Sequence, residues 1–242
     1  MKFKDYYDEK YVREFGEKLA GARAGFDVKA FCGAVKGKLD DKELFPRLDC
    51  ITDAMEAALG DDYGKNIGTL FDILGDELPR AEGMFTYGWW LWPAGRYVER
   101  HGNEDRALSL EFLRELTKRF TGEYAIRPLL KENPAEVMDE LILWTRDESV
   151  HVRRLASEGV RTRLPWSPKL YAALEEFERY TEILTNLKDD PEKFVQKSVG
   201  NNLNDLFKDA PEKAEFIIEK WRASGSSKAQ EWIIKHGMRN RK

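Results

Sequence analysis

The sequence is poor in the residues that hold metals or disulfide frameworks: its 242 residues include two cysteines and three histidines. Cys32 and Cys50 make no metal-ligand spacing together and cannot form a disulfide framework, so both are expected as reduced structural thiols. His101, His151 and His236 are isolated from one another and no HExxH pattern occurs, which leaves no zinc-hydrolase arrangement. No metal-binding carboxylate cluster or conspicuous Schiff-base lysine supports a nuclease or lyase. No apolar run is long enough to span a bilayer, and the opening residues MKFKDYYDEKYVREF lack the apolar core of a signal peptide. A cytoplasmic protein with no membrane partner is the expectation. The net charge of −4 excludes a chain coated in positive charge, so nucleic acid could bind only through a localised basic surface. Sustained period-two alternation is also missing, and little or no sheet is expected.

What remains reads as helix. Asp5 to Ala22, Asp41 to Leu59, Lys65 to Leu74, Glu104 to Arg119 and Pro134 to Trp144 each place apolar residues three and four apart, with glycine or proline between segments. Trp89, Trp90 and Trp92 in YGWWLWP stand at helical spacing, which reads as core more readily than as a base-stacking platform.

The second half repeats itself. HVRRLASEGV from His151, FVQKSVGNNL from Phe194 and KAQEWIIKHG from Lys228 share a pattern, and Val152, Val195 and Ala229 lie 43 and 34 residues apart. An earlier helix precedes each copy, at Pro134 to Trp144, Ala172 to Leu187 and Pro211 to Ala223. Paired helices at a period of roughly 35 to 47 residues are the signature of a HEAT-like stack. The expectation is therefore an all-α, HEAT-like helical-repeat solenoid over residues 1–242, a single domain whose second helices line a concave basic groove.

Within it, Ser149 to Trp166 concentrates the costly residues. Val152, Leu155, Ala156 and Gly159 define a core-facing stripe, while Arg154, Glu158 and Arg161 line a face pointing away from it. On the next copy Lys197, Asn201, Asp205 and Lys208 share one face, and the last copy ends in Lys235, His236, Arg239, Arg241 and Lys242. Arg154, Arg161, Arg163, Lys197, Asn201, Lys235 and Arg239 are the candidates for contacting DNA, because basic groups bind phosphates regardless of base sequence. Glu158 and Asp205 would repel the same phosphates. Each needs an arginine partner or a cationic ligand; as a plain helix-surface ion pair, Glu158 would contribute only about 0.3–0.5 kcal/mol.

Three motifs, FTGEYAIRP at Phe120 to Pro128, HVRRLASEGVRTRLPW at His151 to Trp166 and VGNNLNDLFKDAPE at Val199 to Glu212, resemble the AlkC branch of the AlkC/AlkD-type DNA alkylation-repair glycosylases. That resemblance implies a HEAT-like repeat protein that excises cationic N-alkylated bases such as 3-methyladenine from double-stranded DNA without base flipping. It implies Glu123, Glu158 and Asp205 as catalytic residues, with Trp166 and Arg154 as groove residues, and neither metal nor organic cofactor. Some relatives append an immunoglobulin-like domain; this chain is expected to be the helical domain alone and a monomer. The rival from another class is a HEAT-like DNA- or protein-binding scaffold without activity.

Overall fold

The computed structural model describes residues 2–241, which form helices and their connecting turns with no strand among them; Lys242 lies outside the described residues. No helix among these residues is long and apolar enough to cross a membrane. The chain gathers into two compact units, Met1–Ala125 and Ile126–Lys242.

The first unit contains α1 (Glu9–Ala22), α2 (Val28–Val35), α3 (Leu44–Leu59), α4 (Tyr63–Asp72), α5 (Met84–Tyr87), α6 (Trp92–His101) and α7 (Arg106–Thr117). Asp8, Asp27, Asp62 and Asp105 cap α1, α2, α4 and α7, each carboxylate accepting from a backbone N–H three residues on. These caps correct the expected starts. The helix anticipated from Asp5 begins at Glu9, because Phe3–Tyr6 is a separate 3-10 turn and Asp8 supplies the cap.

The tryptophan-rich segment is mainly scaffold. Trp92 is buried, stacked on Tyr124 at 5.7 Å and packed against Phe120 at 5.4 Å. Trp89 and Trp90 are half-buried, and their carbonyls accept the Tyr7 and Tyr11 hydroxyls at 2.7 Å. Gly88 is required there, since a Cβ would stand 1.9 Å from the Arg119 carbonyl oxygen.

The second unit contains α8 (Ile126–Glu132), α9 (Pro134–Trp144), α10 (Val150–Glu158), α11 (Ala172–Glu175), α12 (Phe177–Leu187), α13 (Lys193–Asp209), α14 (Pro211–Ala223) and α15 (Lys228–Gly237). Proline opens α9 and α14, where a missing N–H costs nothing. The helix expected over Ala172 to Leu187 is broken at Glu176 into α11 and α12. Three helical pairs, α9/α10, α12/α13 and α14/α15, stack so that α9, α12 and α14 form one layer and α10, α13 and α15 the other. This is a helical-repeat fold.

In the second layer α13 lies between α10 and α15, and the three run parallel: Ser157 meets Ser198, Arg161 meets Asp205, and Gly237 meets Leu203. Two neighbours bury α13 from two sides. Alongside Val195, Val199, Leu203 and Leu206 it therefore also buries Ser198, Asn202, Asn204 and Asp205. The close approach to α15 depends on glycine. A Cβ on Gly237 would lie 2.6 Å from Leu203 Cβ, and one on Gly200 would lie 2.8 Å from the His236 ring. Gly237→Ala should therefore lower unfolding stability by about 1–3 kcal/mol, the usual cost of overpacking. Urea denaturation measures it; unchanged stability would mean that this contact is looser than described.

Candidate active site

The site begins with an electrostatic problem. Glu158 ends α10, where a carboxylate meets the negative end of the helix dipole. It is also buried, at 4% exposure. Arginines resolve both difficulties: Glu158 Oε1 accepts from Arg161 Nη1 at 2.7 Å and pairs with Arg154 Nη2 at 3.2 Å. The Ser198 hydroxyl donates to the same carboxylate and itself accepts from Ser157 Oγ at 2.7 Å. Burial alone would push the Glu158 carboxyl up, but Arg154 and Arg161 outweigh it and hold it below the ordinary glutamate range.

Arg161 reaches further. Its Nε donates to Asp205 Oδ2 at 2.9 Å, so one guanidinium joins the end of α10 to the middle of α13. Its Nη2 donates to the Arg163 carbonyl at 3.3 Å. Asp205 is as buried as Glu158, yet its carboxyl is shifted the other way: desolvation raises it, and Arg161 and Lys208 do not fully compensate. Asp205 Oδ1 takes no hydrogen bond from any described residue. Two carboxylates thus share an arginine while differing in proton affinity, the kind of split that separates acid–base roles.

The polar groups around the pair are well connected. Tyr180 donates to Asn202 Oδ1 at 3.0 Å, and Asn202 Nδ2 donates to the carbonyls of Ser157 at 2.8 Å and Ser198 at 3.0 Å. Beneath the turn that follows α10, buried Arg127 donates to the carbonyls of Arg161 at 2.8 Å and Pro168 at 2.6 Å. Arg127 lies in the first motif and Ser198 in the second repeat copy, but no local pattern marks either, because their partners lie 34 to 41 residues away.

The other sequence candidates are distributed as follows. The expected outward face of Arg154, Glu158 and Arg161 is corrected: all three are buried, because α13 covers the side of α10 opposite its own stripe. Arg163 forms a bidentate pair with Asp209, through Nε at 2.9 Å and Nη2 at 2.7 Å. Trp166 stands 73% exposed in the turn between α10 and α11. Lys197, Lys235 and Arg239 are exposed, and half-buried Asn201 accepts from Arg239 Nη2 at 3.0 Å. His236, on the same end of the last copy, stacks on Trp232 at 5.0 Å and contacts Asn201 Oδ1 at 3.1 Å. Glu123 belongs to the first unit, where it is buried and accepts from Thr121 Oγ1 at 3.2 Å. Among the described residues, no three His, Cys, Asp or Glu side chains gather as metal ligands would.

The shared arginine predicts a pH signature. Arg161→Met leaves Asp205 without its guanidinium and Glu158 with Arg154 alone, and should cost about 3–5 kcal/mol at neutral pH. In that variant the Asp205 carboxyl, already raised by burial, rises further above its unfolded value, so the native state binds more protons and stability recovers as pH falls. Denaturation at pH 7 and pH 5 tests this: the deficit should shrink at pH 5, and an equal deficit at both would contradict the bridge.

Comparisons with known proteins bear on the fold and the family. Residues 121–240 match the family described as DNA alkylation repair enzyme. The chain is 30% identical over 239 residues to YhaZ of Bacillus subtilis (strain 168), an uncharacterised protein, covering 98% of this chain and 63% of YhaZ. The alkylpurine DNA glycosylase AlkC of Pseudomonas fluorescens, solved bound to DNA containing an abasic site analog, superposes with a TM-score of 0.85. The identity is 29%, and the match covers 99% of this chain and 64% of AlkC. The chain therefore spans less than two thirds of the length of either relative. Motif, fold and comparison thus agree that residues 121–240 carry a DNA alkylation repair enzyme domain and that the chain is folded like AlkC.

Proposed function

We propose that this chain is a DNA glycosylase that removes cationic N-alkylated bases, 3-methyladenine among them, from duplex DNA without rotating the damaged nucleotide out of the helix. The observation that carries the reading is the buried pair Glu158 and Asp205 on one guanidinium, with Asp205 Oδ1 left open, in a chain folded like a DNA-bound glycosylase.

The chemistry suits these groups. A base alkylated at a ring nitrogen is already positively charged, so it leaves as a neutral molecule with the electrons of the broken C1′–N bond. No general acid is required. The sugar develops oxocarbenium character, which a fixed anion stabilises. Glu158, held ionised by Arg154 and Arg161, supplies that anion. Asp205, with its raised proton affinity, accepts the proton of the water whose oxygen bonds to C1′. An abasic sugar remains.

Affinity comes from elsewhere. Lys197, Lys235 and Arg239, with the Asn201 amide beside them, present donors to the phosphate backbone and carry no base information. Arg154 and Arg161 act inside the carboxylate cluster.

Release of free 3-methyladenine from methylated duplex DNA tests the proposal. Wild type should release it, and Glu158→Gln and Asp205→Asn should each slow release by about 10²-fold or more, as loss of a preorganised charge does. No release by folded wild type would remove the glycosylase reading. Unchanged release by both variants would remove only these residue roles. Replacing Lys235 and Arg239 with alanine should weaken binding to damaged and intact duplex alike and reduce the salt slope by about 1 per lost phosphate contact; loss of discrimination at unchanged affinity would contradict that role.

A further inference from the structure

The turn carrying Trp166 is held in a way that packing alone does not call for. Trp166 has a φ of 60°, and among the described residues it is the only non-glycine with positive φ. L side chains rarely adopt this region, and such backbone persists only when its surroundings over-determine it. A core tryptophan would justify strain by burial, yet this indole is the most exposed large apolar side chain of those described, at 73%.

One carboxylate ties the turn at both flanks. Asp209 is the last residue of α13, and its side chain is 7% exposed. Its Oδ2 accepts from Thr162 Oγ1 at 3.0 Å and Arg163 Nε at 2.9 Å, before Trp166 in the chain. Its Oδ1 accepts from Arg163 Nη2 at 2.7 Å and from Lys169 Nζ at 3.3 Å, the latter after Trp166. Both flanks of the turn therefore converge on a single anion. The Leu170 N–H closes the base by donating to the Thr162 carbonyl at 3.1 Å, and Arg127 holds the Pro168 carbonyl at 2.6 Å. The Arg163 hydrogen bonds lower the Asp209 carboxyl to about 2, so the anchor stays ionised throughout the working range of pH.

We propose that Asp209 is a positioning residue: it fastens both flanks of the turn 162–169 so that the strained backbone at Trp166 presents the indole to the duplex. The partner is a deoxyribose or a cationic base packed on the ring face. This rests on the reading of the chain as a duplex-DNA glycosylase. It assigns Arg163 to building the turn.

The experiment uses the full chain and a duplex containing a tetrahydrofuran abasic analogue. The fluorescence difference between wild type and Trp166→Phe isolates this indole from the other six tryptophans, and acrylamide reports its accessibility. In wild type, duplex should shield the indole. In Asp209→Asn the free protein should remain folded, but duplex should no longer shield it, and affinity should fall about tenfold, the size of one aromatic stacking contact. Trp166→Ala should lose a similar amount, and the double variant no more than either. Asp209→Glu should restore part of the shielding, which a merely structural role would not require. If Asp209→Asn does not fold, Lys169→Met, which releases one exposed tie, should reduce shielding in the same direction. Shielding that persists in the variants, or additive losses in the double variant, overturns the positioning role alone. An indole unshielded by duplex in wild type overturns the DNA-facing role of Trp166 and this proposal with it, whereas base release tests the glycosylase reading independently.

Discussion

The second unit depends on the Arg161 guanidinium, which accepts the burial of two carboxylates by bonding to both. Charges withdrawn from water incur several kcal/mol each unless partners replace the lost solvation. Glu158 and Asp205 are offset by Arg154 and Arg161, so the four-residue cluster is formally neutral. Such an arrangement is weak evidence for stability, because apolar residues of the same size would often serve as well. It is better evidence for a site. Neutralisation lets the anions remain in a dry place with fixed geometry, and a group poised there meets developing charge without solvent rearrangement.

Position follows from helix layering. The buried polar atoms lie where α13 is covered by α10 on one side and α15 on the other, so serines and asparagines bond across the layer in place of leucines. The two helix ends near the site, Glu158 of α10 and Asp209 of α13, carry the wrong sign for the dipole. Each is compensated by arginines from the single turn that follows α10: Arg161 for Glu158, Arg163 for Asp209. One short stretch of chain thereby closes the carboxylate cluster and shapes the turn bearing Trp166.

Much of this was legible in the sequence. The helix Pro134–Trp144 follows from proline at its start and apolar residues three and four apart, and it spans those residues. The paired helices of the second half were visible as repeats. Burial of Arg154, Glu158 and Arg161 was not, because helical periodicity assigns a polar face to solvent and cannot register a second neighbour on that face. Asp209 escaped notice for a related reason: its donors are 40 to 47 residues distant, and nothing local marks it as an anchor. Helix starts moved by a few residues wherever an aspartate cap, as at Asp8, overruled the apolar pattern.

In the proposed reaction Glu158 and Asp205 respond to charge at the sugar, and a binding measurement isolates that from turnover. The comparison is between two duplexes, one carrying a cationic pyrrolidine in place of the damaged deoxyribose and the other its neutral tetrahydrofuran counterpart. Wild type should prefer the cationic duplex by about 10²-fold, as complementarity to a charged transition state requires, and Glu158→Gln and Asp205→Asn should each reduce that preference. Equal affinity of wild type for the two duplexes would contradict the account.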